Sequence, residues 1–185
     1  MSVSSYQSGL RSAVRGFYNG TLTQGQFTDA FESAIRRGLT QAFIEGAKEC
    51  GIKQDELTDK ELDVLTKAIE SEYEYIDGFA GGIEESEKLA ALYSRLSMWV
   101  NRYTDIQNRA KVMACADKKL QWQIGPTERH CRDCSKYDTR VYRGSTWGDI
   151  RPQHPNLACH GYRCKCKLNP TDNGLTRGKP PRMTG

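Results

Sequence analysis

The chain has 185 residues and a mass of 20.9 kDa, room for one ordinary domain or one domain plus a small appendage. It is 37% hydrophobic and 27% charged with a mean hydropathy of −0.70, so a core built from helices with wide apolar stripes is expected rather than wholesale disorder. No apolar run approaches the ~18 residues of a bilayer span, and residues 1–7 lack the basic-then-apolar order of a secretory signal, so neither a membrane protein nor a secreted one is expected.

The net charge of +4 conceals an asymmetry. Residues 1–128 hold 15 Lys and Arg against 19 Asp and Glu, a net −4, and residues 129–185 hold 12 against 4, a net +8. The prolines begin at Pro126, the histidines at His130, and five of the seven cysteines lie from Cys131 onward. These shifts coincide, and they divide the chain near residue 120. The expected organisation is an α-helical region over 1–118, a Cys-rich β module over 119–169, and a flexible basic tail over 170–185.

The first helix is expected to open on a capping box at Ser4 and Gln7, the second at Thr23 and Gln26, and the third at Thr58 and Glu61. Asn19-Gly20 and Cys50-Gly51 are the expected stops, because glycine takes the left-handed cap conformation at no steric cost. Phe27, Phe31, Ala34, Ile35, Leu39 and Phe43 recur at helical spacing in the second segment, and Leu62, Leu65, Ile69, Tyr73 and Ile76 in the third. Gly78, Gly81 and Gly82 are read as a break. A long helix is then expected over about 83–117, where Leu89, Leu92, Leu96, Trp99, Tyr103, Ile106, Ala110 and Met113 alternate steps of 3 and 4. Such a seam packs lengthwise on a helix of the same chain, as bundles do, or carries self-association through residues 89–113. The acidic residues Glu70, Glu72, Glu74, Asp77, Glu84, Glu85 and Glu87 scatter around a helix with no histidine among them, which reads as a solvated face. Cys50 and Cys115 read as buried small apolar residues.

Residues 119–125 alternate as a strand does and end at Gly125-Pro126, and residues 139–143 suggest a second short strand. Between them His130-Cys131-Arg-Asp-Cys134 forms a C-x2-C knuckle. After 24 intervening residues come Cys159, Cys164 and Cys166. A tetrahedral Zn²⁺ takes two thiolates from such a knuckle and closes on a distant pair. Cys164 and Cys166, two apart, would share one side of a strand. Five thiols compete for four positions, with His130, His154 and His160 as substitutes, and spacing alone does not choose the fourth ligand. A disulfide framework sits poorly with an odd cysteine count and no secretory signal, and a redox C-x2-C needs a strand–helix alternation absent here. A segment of about 50 residues buries little apolar surface, so structural zinc, at an apparent ~10–16 kcal/mol, would supply much of its stability. Arg129, Arg132, Lys136, Arg140, Arg143, Arg163, Lys165 and Lys167 crowd this module, and Arg177, Lys179 and Arg182 follow; such a patch suits nucleic acid or an acidic protein, and equally serves solubility.

Catalytic patterns are weak. Asn156-Leu-Ala-Cys159-His160 has a faint likeness to the end of an HNH nuclease motif, but His130 abuts a cysteine and the order is wrong. The deaminase pattern fails for want of a Glu after any histidine, and no P-loop, Rossmann or G-x-S-x-G fingerprint occurs.

The order of features over about residues 85–168 resembles a known family. Asn108-Arg-Ala-Lys-Val-Met-Ala114 precedes Leu120-Gln-Trp-Gln-Ile-Gly-Pro126, the Cys131/Cys134 knuckle, Thr146-Trp147, Arg151-Pro-Gln, Asn156-Leu-Ala-Cys159 and Arg163-Cys-Lys-Cys-Lys-Leu168. This is similar to the C-terminal region of tailed-bacteriophage head-morphogenesis, or minor head (minor capsid), proteins, in which a helical region runs into a small Cys-rich β module opening on a Trp-bearing strand. Residues 1–84 match only in being helical. The resemblance implies a non-enzymatic virion component that associates with portal or capsid proteins, is found in the head or portal region and in the host cytoplasm during assembly, and assists head assembly or DNA delivery. The alternative is a zinc-dependent nucleic-acid-binding protein or HNH-like nuclease.

Overall fold

The computed structural model describes residues 2–85, 88–126, 129–148, 150–161 and 164–185. Glu87 of the acidic run and Arg163 of the basic cluster lie outside them. The described chain is mainly helical. Helices α1 (Val3–Tyr18), α2 (Gln24–Lys48), α3 (Asp59–Tyr73), α4 (Ile76–Glu84), α5 (Leu89–Arg95) and α6 (Ser97–Ala114) form a bundle. Strand β1 (Lys119–Gln123), α7 (Arg132–Tyr137), β2 (Val141–Arg143), α8 (Gly144–Trp147) and β3 (Lys167–Pro170) form a small Cys-rich module.

Local chemistry explains the helix starts. Thr23 and Thr58 each accept from the backbone N–H three residues on, while Gln26 and Glu61 reach back to the cap N–H, so both expected capping boxes form. The first box does not: α1 begins earlier, and Ser2 caps it by accepting from the Ser5 N–H at 3.2 Å. Gly20 and Gly51 both take positive φ just beyond their helices, as a C-terminal stop requires.

Helix α2 is the axis of the bundle, packed along α1 and α6, with Phe27, Phe31, Ile35, Leu39 and Phe43 fully buried. Close crossing is bought by glycine at one point: a Cβ at Gly46 would run into the Gln107 carbonyl of α6. Phe31 meets Trp99 edge-on with centroids 5.0 Å apart, and Phe79 packs on both.

Four expectations need correction here. The helix over 83–117 is two helices, α5 and α6, joined at Leu96, where the backbone stays near-helical and Val100 still bonds to the Leu96 carbonyl. Its start moves to Leu89 because Gly78, Gly81 and Gly82 lie inside α4, where burial of Ile76, Phe79, Ala80 and Ile83 outweighs the ~1 kcal/mol that each helical glycine costs. Ile76 therefore belongs to α4, and Leu62 of α3 is exposed. The seam itself is consumed inside the chain: Leu92, Leu96, Trp99, Tyr103, Ile106 and Ala110 are each at most 2% exposed, within the core shared with α1, α2 and α4.

In the module β1 is the central strand, antiparallel to β2 (Leu120↔Tyr142) and to β3 (Trp122↔Leu168). Alternation sends Leu120 and Trp122 inward, where Trp122 packs on Tyr137 and Trp147, and the Trp147 indole donates to the Leu120 carbonyl. The final segment is irregular yet not a flexible tail. Thr176 bonds both ways with Val141, Tyr137 donates to the Pro181 carbonyl, and Met183 packs on the module core.

A disulfide closes the bundle next to the module, and a buried ion pair joins the two. Cys50 and Cys115, read from sequence as lone apolar residues, form a disulfide between the ends of α2 and α6, just before β1. Asp105, 1% exposed, accepts from Arg102, Arg109 and, across the junction, Arg151. Glu72, expected on a solvated face, is buried against Arg102 at 2.6 Å; burial raises its pKa and Arg102 opposes the rise.

Two outcomes are expected. Reducing the Cys50–Cys115 bridge, which spans 65 residues, should lower stability by about 4 kcal/mol in a chain-entropy treatment, read as a shift in denaturant midpoint with and without reductant on a Cys115→Ser control. Asp105→Ala leaves the buried Arg151 uncompensated and should cost about 3–5 kcal/mol in the same measurement.

Candidate metal centre

Three separate stretches of chain deliver the five module cysteines. The knuckle is the first turn of α7. Cys131 is its N-cap, and its sulfur accepts the Cys134 N–H at 3.3 Å, so the C-x2-C spacing sets both sulfurs on one side of that turn. Cys159 comes from the irregular segment 151–161, whose path depends on left-handed residues at Gln153, His160 and Gly161. A Cβ at Gly161 would strike the Gln153 carbonyl. Cys164 and Cys166 precede β3 rather than lying on a strand, and both are buried.

A buried amide brace holds the Cys164–Cys166 loop. Gln153 Nε2 donates to both the Cys164 and Cys166 carbonyls at 2.9 Å, and its Oε1 accepts from Asn108 of α6 at 2.7 Å. Asn108 Oδ1 in turn accepts the Leu168 N–H at 3.0 Å. Lys111, 2% exposed, donates to the Leu168 carbonyl and pairs with Glu49; burial draws its pKa down and Glu49 opposes that. Sequence reasoning missed this brace. Gln153 and Asn108 were visible only as members of the family-like run.

The sulfurs converge in two overlapping triads, Cys131/Cys134/Cys159 and Cys134/Cys164/Cys166, with the donor atoms of each triad within 4.8 Å of one another. Cys134 belongs to both and lies 3.9 Å from Cys164. For comparison, a tetrahedral zinc–thiolate site with bonds of about 2.3 Å has sulfur–sulfur edges of about 3.8 Å. These cysteines can hold a metal ion. His130, His154 and His160 join neither triad: the His160 ring faces the Pro155 carbonyl, and His154 Nδ1 accepts the Asn156 N–H.

Contacts among the buried thiols perturb them in opposite directions. Contact with the Cys159, Cys164 and Cys166 thiols, and then burial, pushes the Cys134 pKa up. The Cys134 thiol in turn draws Cys164 and Cys166 down, against burial. Several thiolates cannot share a buried space without a cation. The Gly125 amide and the Trp122 indole also pull Cys166 down. On donor chemistry and burial, the site fits a thiolate-loving ion.

Asp133, fully buried between the two knuckle cysteines, ties the last residues to the centre. It accepts from the Ala158 N–H, from both the N–H and hydroxyl of Thr184, and from Lys136. Burial alone would raise its pKa; the bonds from Thr184, Ala158 and Lys136 outweigh that and lower it to about 2. No helix among the described residues is long and apolar enough to cross a membrane.

Because the folded pKa of Asp133 lies below the ordinary ~3.9, its contribution is complete above about pH 4 and is lost as the pH falls toward 2. Asp133→Ala should cost about 1–3 kcal/mol at neutral pH and speed hydrogen exchange over residues 176–185, measured by mass spectrometry.

No protein-family model, no curated protein and no solved structure matches this chain. The role of the centre is therefore read from its own residues.

Proposed function

We propose that the chain is a non-enzymatic structural or assembly protein of a tailed-bacteriophage virion, a minor head or portal-associated component whose Cys-rich module is organised by structural zinc. The observation that carries this reading is the convergence of the five cysteines of the family-like run with the Trp122 strand packed on them. Cys134, Cys164 and Cys166 are buried against one another, as in a closed structural site. Cysteine-only donors and a knuckle of C-x2-C spacing suit a tetrahedral structural zinc.

The outer surface of the module supplies the docking chemistry. Arg132, Lys136, Arg143, Lys165, Lys167 and Arg182 are exposed, which suits the acidic face of a portal or capsid subunit, or packaged DNA. The Asp105–Arg151 pair ties the module to the bundle.

Purified protein should carry zinc, and Cys134→Ser should lose it and unfold residues 119–170 while α1–α6 stay helical, measured by elemental analysis and segment-resolved hydrogen exchange. Co-sedimentation with portal or capsid subunits, weakened by charge reversal at Lys165 and Lys167, is the functional test. Mg²⁺- or Mn²⁺-dependent cleavage of DNA, abolished by His154→Ala or His160→Ala in a folded protein, would replace the virion reading with a nuclease.

A further inference from the structure

Five thiols meet where a tetrahedral ion takes four, and the structure sorts them unequally. Cys134, Cys164 and Cys166 form a triad in which every member is buried. Cys131 and Cys159 are half-buried, lie within 4.8 Å of each other, and share only Cys134 with that triad. Both rim cysteines are held at the first turn of α7: Cys131 as its N-cap, and Cys159 beside Ala158, whose N–H is bonded to Asp133 of that turn. Both therefore sit at one edge of the buried triad, each within 4.8 Å of Cys134.

We propose that the centre binds one ion through a fixed triad, Cys134, Cys164 and Cys166, and that Cys131 and Cys159 are interchangeable fourth ligands, the unused one remaining as a reactive thiol at the rim. This rests on the zinc reading above and deepens it. A site with a resident spare ligand can swap one thiolate for another without falling to three protein donors. It also keeps one nucleophilic sulfur beside the ion, open to alkylating and oxidising reagents.

The test uses the full chain loaded with zinc. Cys131→Ser is well suited to it, because serine is a preferred N-cap and preserves the bond to the Cys134 N–H while removing the soft ligand. Cys159→Ser is its counterpart, and the near-ultraviolet signal of Trp122 and Trp147 reports whether each variant keeps the module folded. The expected result is one zinc per chain in the wild type and in both single variants, with zinc lost from the double variant. Native alkylation with iodoacetamide should label one module thiol per chain, at Cys131 in some molecules and at Cys159 in others.

Loss of zinc from either single variant as complete as from the double variant would overturn the proposal, since it marks one fixed fourth ligand. Zinc retained by the double variant would overturn it in favour of a histidine or water ligand. Two ions in the wild type, sharing Cys134, would overturn it in favour of a paired centre, and label confined to one rim position would do the same for a single fixed ligand. Wild-type protein without zinc would instead remove the zinc reading itself, a result distinct from all of these.

Discussion

Everything in the C-terminal module turns on Cys134, the one sulfur that belongs to both triads. Its position follows from a helix start: Cys131 caps α7, and the i, i+3 geometry of that cap sets Cys134 beneath it, facing inward. Cys164 and Cys166 reach it from the other side because β3 pairs with β1, and because Gln153 grips both of their carbonyls. Several buried thiolates repel one another, so such a cluster is stable either with shared protons or around a cation.

The module does not stand apart from the bundle. Asn108, Lys111 and Asp105 lie on successive turns of α6 and reach, respectively, the cysteine loop, the β3 backbone and Arg151. Each of these contacts satisfies a buried polar group that would otherwise cost free energy, so the junction is specified by polar pairing rather than by apolar area alone. The Cys50–Cys115 bridge fastens the C-terminal end of α2 to the end of α6 beside that junction. A chain built this way carries an oxidised pair and a cluster of reduced thiols within one body.

Much of the bundle was legible because its signals are local. Thr23/Gln26 and Thr58/Glu61 announce helix starts through contacts three residues apart, and the α2 apolar stripe is a period of one helix. The knuckle, the Trp122 strand and its Gly125-Pro126 stop were readable for the same reason. What failed was read from spacing where tertiary contact decided the outcome. Gly78, Gly81 and Gly82 look like a break until the burial of Phe79 against Phe31 and Trp99 is known. Glu72 looks like a solvated charge until Arg102, thirty residues away, is placed beside it. Cys50 and Cys115 look solitary because nothing local brings together residues 65 apart.

Sequence by itself determined that a helical region precedes a basic, Cys-rich module, and which thiols are available to an ion, since residue type and short-range period carry that information. Only the tertiary structure decided that the heptad seam is spent inside the chain, that the last sixteen residues are bound down by Asp133, Tyr137 and Val141, and that the five sulfurs form a buried triad with two rim partners. Those outcomes depend on which distant groups satisfy one another's buried hydrogen bonds, charges and apolar surface, and that matching is a property of the folded chain rather than of any window along it.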